Sequence, residues 1–238
     1  RIVALDGSGN TSNPSNNLEV TTLAAPNYLI DEDFNNCNTV AFESISESGN
    51  EEWTCTDEFG ENNSGSYQMN AFSGGSTESG IDWLITSEPL NFDATSTALL
   101  SFYVDASFGN TPLELLYSTD YSSENNPSQS TWTAGPNVNI PLHSTGGSEE
   151  EFYNYSQLDI SSINGNNVYL AFKYDTTGGQ NATRWTVDNF KIEAEVLSVF
   201  NPNSIQLKIY PNPTRNEIIY VSSETELSQI QLYDLSGK

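Results

Sequence analysis

The chain has 238 residues and carries 7 Lys plus Arg against 32 Asp plus Glu, a formal net charge of −25. A field of that sign repels phosphate backbones and anionic headgroups, so it argues against nucleic acid and an anionic membrane surface as partners. Charged residues are only 16% of the chain and aromatics reach 11%, a profile of strands joined by polar turns and not of a disordered acidic tail.

The length accommodates one β-sandwich with smaller flanking pieces. No apolar run is long enough to span a bilayer, so direct membrane insertion is not expected. No signal peptide opens the sequence. Arg1-Ile2-Val3-Ala4-Leu5 reads as the middle of a strand, so the chain is expected to continue upstream. Residues 1–22 read as strand, turn, strand: Ile2 to Leu5, the turn Asp6-Gly7-Ser8-Gly9-Asn10, then alternation from Leu18 to Thr22. This pattern resembles the closing strands of a fibronectin type III module. The same turn could be read as a small calcium loop, but it lacks the later acidic ligands of an EF-hand.

Residues 23–27 read as a linker, and 28–197 as the main body. Its apolar or alternating runs are YLIDEDF, DWLITSEPLNF, ALLSFYVDAS, LELLYST, NVNIPL, YSQLDIS, NVYLAFKYD and RWTVDNFKIEAEV, with Gly, Pro, Asn and Ser in the breaks. Short strands punctuated this way predict an all-β chain, an antiparallel jelly-roll β-sandwich with short β-rich flanking pieces. Tyr169–Phe172 is apolar on both parities, which predicts a central strand covered on both faces. The stretches 122–130 and 143–154 are long and polar and predict surface loops, where binding would sit. Two cysteines, Cys37 and Cys55, in a chain that looks extracellular point to one disulfide, the other reading being two buried thiols.

Four pieces of the body, DEDFNN, DWLITSEPLNF, LSFYVDAS with LELLYST, and LDISSINGNNVYLAFKYD with RWTVDNFKI, occur in an order that resembles the cleaved-adhesin or "choice-of-anchor J" domain of Bacteroidetes surface proteins. That domain is distantly similar to MAM domains, and both are jelly rolls. The resemblance implies a non-enzymatic adhesive or accessory module with structural calcium where first and last strands meet. The motif residues here are Asp33-Phe34-Asn35 and Asp188-Asn189-Phe190, with Asn at positions where the family carries acids. Asp33, Asn35, Asp188 and Glu32 are therefore the calcium candidates. Each Asn keeps an oxygen but loses a charge. Asp82 is a further candidate, its other role being a turn cap before Trp83.

The end of the chain resembles a second family. After a linker at 198–206, residues 207–238 carry Tyr210-Pro211-Asn212-Pro213 and, later, Tyr233-Asp234 with Gly237. These are the hallmarks of the C-terminal sorting domain of type IX secretion, of which the first part is present. The resemblance implies export across the outer membrane by the type IX machinery and a secreted or cell-surface location.

Catalytic signals are weak. The chain has one histidine, His143, beside a Gly-rich loop, where a surface role is the simpler reading. One His and two Cys supply too few nitrogen and sulfur ligands for zinc. The acidic run Glu149-Glu150-Glu151 reads as a solvated loop more readily than as a glycosidase pair. Trp132, Tyr153 and Tyr155 adjoin the polar loops and are candidates to stack on a sugar ring, the alternative being that they face the core. The expected function is a non-catalytic accessory or adhesion region of a larger secreted protein, with glycan or protein binding. The alternative is a spacer and secretion address for an upstream hydrolase.

Overall fold

The structure, a computed structural model, describes residues 27–37, 41–142, 152–196, 208–210 and 220–222. The chain divides into two units, residues 1–196 and 197–238. The strands of the first are β1 (Tyr28–Glu32), β2 (Phe42–Ser48), β3 (Thr54–Thr56), β4 (Ser66–Met69), β5 (Phe72–Ser73), β6 (Ser76–Thr77), β7 (Ile81–Thr86), β8 (Thr95–Ser107), β9 (Leu113–Ser118), β10 (Thr133–Ala134), β11 (Tyr153–Asp159), β12 (Tyr169–Asp175) and β13 (Arg184–Val196).

Two antiparallel sheets form a sandwich. One has the order β11-β8-β13-β4-β3 with β1 also on β13; the other has the order β10-β9-β12-β7-β2. β8 lies along the whole of β13, so β1 and β4 share its remaining edge, β1 against Phe190 to Glu193 and β4 against Trp185 to Val187.

Period-two alternation sets the layers. On β8, Ala98, Leu100, Phe102, Val104 and Ala106 enter the core, which leaves Ser101 and Tyr103 on the opposite face. Aromatic rings then tie the sheets together. Phe34 meets Phe42 at 5.4 Å, Phe42 meets Phe190 at 5.1 Å, and Phe172 meets both Phe190 (5.8 Å) and Phe102 (5.5 Å).

β12 is the central strand of the second sheet, covered on both faces as its sequence predicts. Leu170, Phe172 and Tyr174 enter the main core, while Tyr169 and Ala171 join Trp83, Ile85 and Tyr121 in a second apolar cluster. The stretch 122–130 belongs to the lid of that cluster. Tyr121 and Trp132 lie 5.5 Å apart, Trp132 lies 5.0 Å from Trp83, and the Trp132 Nε1 donates to the Pro127 carbonyl at 2.9 Å.

One expected strand is absent. NVNIPL is irregular: Asn137 has φ +59, its Nδ2 donates to the Asp159 carbonyl, and Val138 and Ile140 pack on the core without a ladder. Pro141 cannot donate to one. The edge strand β2 and the short β3 and β4 were not legible, because their Ser, Thr and Glu content hides the alternation.

In the second unit, β14 (Lys208–Tyr210) pairs antiparallel with β15 (Tyr220–Ser222), Ile209 opposite Val221. Of the sorting residues, Tyr210 ends β14. Pro211, Asn212, Pro213, Tyr233, Asp234 and Gly237 lie outside the described residues, as do residues 1–26, His143 and Glu149 to Glu151.

Candidate functional site

The outward face of β8 and its two neighbours forms a polar groove of about 430 Å³. β8 contributes Ser101 and Tyr103, β11 contributes Asn154, Ser156 and Gln157, and β13 contributes Asn189 and Lys191; Asp31 and Glu61 complete the lining. The groove is built on a pair of bulges. The β11–β8 register shifts between Tyr155 and Leu158, and the β13–β8 register shifts between Asp188 and Lys191. Both irregularities flank Ser101 and Phe102, one on each side of β8. In each, one residue is left-handed: Gln157 at φ +55 and Asn189 at φ +51. A bulge re-aims a side chain, and left-handed Gln is uncommon, so the backbone has been bent at cost to turn two amides onto one face.

Hydrogen bonds hold these groups in place. The Gln157 amide nitrogen donates to Ser101 Oγ at 3.0 Å, and its Nε2 reaches Glu193 Oε2 at 3.0 Å on β13. That bond holds the Glu193 carboxyl below its ordinary range. Lys191 Nζ lies 3.5 Å from the other Glu193 oxygen. Asn154 Nδ2 donates to the Tyr103 hydroxyl at 3.0 Å. The result is a floor of fixed amides and hydroxyls beside one half-buried aromatic ring, with one cation and several carboxylates around it. Such a surface can exchange hydrogen bonds with a neutral polyhydroxyl ligand and disfavours anions.

Next to the groove lies the junction where β1 ends and β4 begins. Asp188 is fully buried there. Its Oδ2 accepts from the Glu61 amide and from Ser64 Oγ, each at 2.8 Å, and its Oδ1 accepts from the Asn189 amide at 2.6 Å. Burial nevertheless pushes its carboxyl upward, the hydrogen bonds opposing. Glu32 Oε1 accepts from the Phe34 amide, Asp33 Oδ1 from the Asn35 amide, and Asn35 Oδ1 from the Gly65 amide. Gly65 is needed here, since a Cβ would stand 2.2 Å from the Phe34 carbonyl oxygen. Cys37 and Cys55 are joined across the junction, with an S–S distance of 2.10 Å.

The calcium candidates are thus near one another in the fold, and one carboxyl oxygen each of Glu32 and Asp33, both of Asp188 and the Asn35 Oδ1 accept from backbone or hydroxyl donors. Among the described residues, no group of three or more His, Cys, Asp or Glu is gathered so as to hold a metal ion. Asp82 is elsewhere, on β7, only 2% exposed and opposite Ser46 and Tyr174. Burial raises its pKa to about 7, with Glu51 and Glu52 adding to the effect against a hydrogen bond from Ser46.

No family model and no curated protein matches the chain. Among solved structures, the K3 cleaved adhesin domain of Lys-gingipain from Porphyromonas gingivalis aligns over 70% of this chain and 99% of its own at 17% identity, with a TM-score of 0.49. The K1 cleaved adhesin domain of the same protein aligns over 70% and 98% at 16% identity, with a TM-score of 0.48. A family 11 carbohydrate-binding module from Clostridium thermocellum, solved with a mixed-linked tetrasaccharide, aligns over 71% and 99% at 11% identity, with a TM-score of 0.39.

The aromatic residues singled out in the sequence lie elsewhere than in the groove. Tyr155 stacks on Phe102 at 4.8 Å, and Tyr153 and Tyr155 both pack against the core from β11. Trp132 is part of the inner lid over Trp83. All three are partly buried and pack on the two apolar clusters, the alternative that their sequence positions also allow. The aromatic that does line the groove, Tyr103, is on the outward parity of a strand whose alternation is visible in SFYVDAS. Gln157 and Asn189 carry no local signal, because a bulge is a property of the pairing and not of one strand.

Proposed function

We propose that the sandwich is a non-catalytic carbohydrate-binding accessory module of a larger secreted protein, and that the 207–238 segment carries a type IX sorting signal. The observation that supports the binding reading best is the pair of bulges that brings Gln157 and Asn189 onto one face, beside Asn154 and Tyr103. Left-handed backbone in the two strands that flank β8 is costly, and placing hydrogen-bonding side chains at a ligand face is a function that offsets such a cost. The groove's polar groups are amides and hydroxyls with both donors and acceptors, which matches sugar hydroxyl edges. In this reading the carboxylates Asp31 and Glu61 accept hydrogen bonds and exclude acidic ligands. Hydrogen bonds and the disulfide hold the strand junction in this same reading.

The test is retention on insoluble cellulose, xylan and mannan, with released reducing sugar measured alongside. The expected result is retention on at least one polymer without sugar release. Release of sugar would replace the reading with an enzymatic one, and no retention on any polymer would count against carbohydrate binding. For the sorting segment, the support is its sequence resemblance. Alanine at Pro211, Pro213 and Gly237 in the full gene is expected to leave the protein in the periplasm, and undiminished export would refute the assignment.

A further inference from the structure

A second concavity, of about 350 Å³, shares no lining residue with the groove and lies between the β5–β6 hairpin and the loops at 108–109 and 181–182. Phe72 and Phe108 line it together with Asn70, Asn181 and Gly109. These two phenylalanines are 58% and 41% exposed; of the other described phenylalanines, Phe59 is exposed to the same degree, at 41%, and the rest are buried or half-buried. Leaving two rings in water at one spot sacrifices burial that the fold could have gained.

The backbone is also arranged to present them. Phe108 has φ +64, an outlier for a bulky side chain. The following Gly109 is fixed by close approach, since a Cβ would stand 2.0 Å from the Ala182 carbonyl oxygen. Asn110 and Thr111 amides donate to the Asn181 carbonyl at 2.9 and 3.2 Å, which bolts the turn to the 181–182 segment. The Arg184 guanidinium sits 5.6 Å from the centroid of the Phe108 ring and donates to Ser107 Oγ at 3.1 Å, which fixes the ring from one side. Phe72 is carried by the β5–β6 hairpin, its amide tied to Asn70 Oδ1 at 3.0 Å, which leaves the Asn70 amino group for a ligand.

The lining contains no ionisable side chain, on a chain of net charge −25. A neutral occupant fits that lining, beside which the Arg184 guanidinium packs on the Phe108 ring. It must offer apolar faces to two rings and hydrogen-bonding edges to two amides, which describes a pyranose ring. An extended peptide is the poorer match, because it would seek a strand edge for its backbone, and the strands at this cleft, β5 and β6, are two residues each. We propose that the cleft is a second carbohydrate subsite, taking one sugar ring between Phe72 and Phe108 with the Asn70 and Asn181 amides on its hydroxyl edge. It stands on different residues from the groove and holds whether or not the groove binds.

The test is an NMR titration of the 238-residue chain with cellohexaose, mannohexaose and xylohexaose, following the Gly109 and Asn181 amides. At least one sugar is expected to shift both. Phe72→Ala and Phe108→Gly should each weaken that response about tenfold, while a Gln157→Gly groove variant leaves it unchanged. Phe108→Gly suits the left-handed backbone, so its fold is retained, and an unchanged melting temperature would verify this. Three results would overturn the proposal: no shift with any of the sugars, a shift indifferent to both phenylalanine variants, or a shift produced only by a neutral tryptophan-containing peptide.

Discussion

Gln157 and Asn189 show at the residue scale how function and stability pull apart. Each holds a left-handed conformation that disfavours a side chain by roughly 1–2 kcal/mol, and glycine would relieve it. Asn189→Gly is therefore expected to leave the melting temperature equal or higher in differential scanning calorimetry. Gln157→Gly also loses the bond to Glu193, so its gain should be smaller. A clear drop for both variants would show that the two amides serve the fold. Asp82 is the converse case, a buried carboxyl in the core-side register of β7 whose pKa is about 7. The raised value means that the folded chain holds a proton that the unfolded chain releases near its ordinary pKa. This group's contribution therefore falls as pH rises from about 4 to 7 and is constant above. Asp82→Asn should stabilise the protein by roughly 1–3 kcal/mol at pH 8 and by little at pH 4. Urea denaturation at the two pH values measures the difference, and equal effects at both would show that Asp82 is not protonated in the native state.

The junction of β1, β4 and β13 is the element most open to perturbation. Two short strands share one edge of β13, and Asp188, Asn35 and Glu32 satisfy the backbone donors of the segments that connect them. The Cys37–Cys55 bridge closes a separation of 18 residues, for which chain entropy gives roughly 3 kcal/mol. Reduction, or Ser at both positions, should lower the melting temperature markedly, whereas a chelator should not move it. A rise of several degrees on adding calcium would show that a cation joins the hydrogen bonds at the junction. This element also shows where sequence reading stops. Asp33-Phe34-Asn35 and Asp188-Asn189-Phe190 stood out as a pair and do fall at the meeting of first and last strands. Their oxygens turn to Gly65, Ser64 and the Glu61 amide, partners supplied by a polar loop with no pattern of its own. In the same way, β8 was legible because its apolar parity is unbroken, β12 because it is apolar on both parities, and β13 because each half alternates, Trp185 and Val187 before the bulge and Phe190 and Ile192 after it. β2 was not, because an edge strand with Ser at alternate positions looks like a loop. NVNIPL looked like a strand because Val138 and Ile140 do pack inward, but from an irregular backbone.

Among the described residues, the sandwich leaves one outward sheet face open and covers the other. The five-stranded sheet buries Trp83, Ile85 and Tyr169 beneath the Tyr121 and Trp132 lid, so it offers no broad polar face there. The six-stranded sheet leaves Ser101, Tyr103, Asn154 and Lys191 lining a groove. In the proposed reading, that asymmetry puts binding on the β11-β8-β13 face, and the charge of −25 favours neutral or cationic ligands. The central claim is that this face binds carbohydrate through re-aimed amides. It is tested most directly by calorimetric titration of the best-retained polysaccharide's oligosaccharide into the wild-type chain and into an Asn154→Ala, Asn189→Gly double variant. Tenfold or greater loss of affinity in a double variant of undiminished melting temperature is the expected result. Equal affinity in the two proteins, or none in the wild type with any such oligosaccharide, would contradict it.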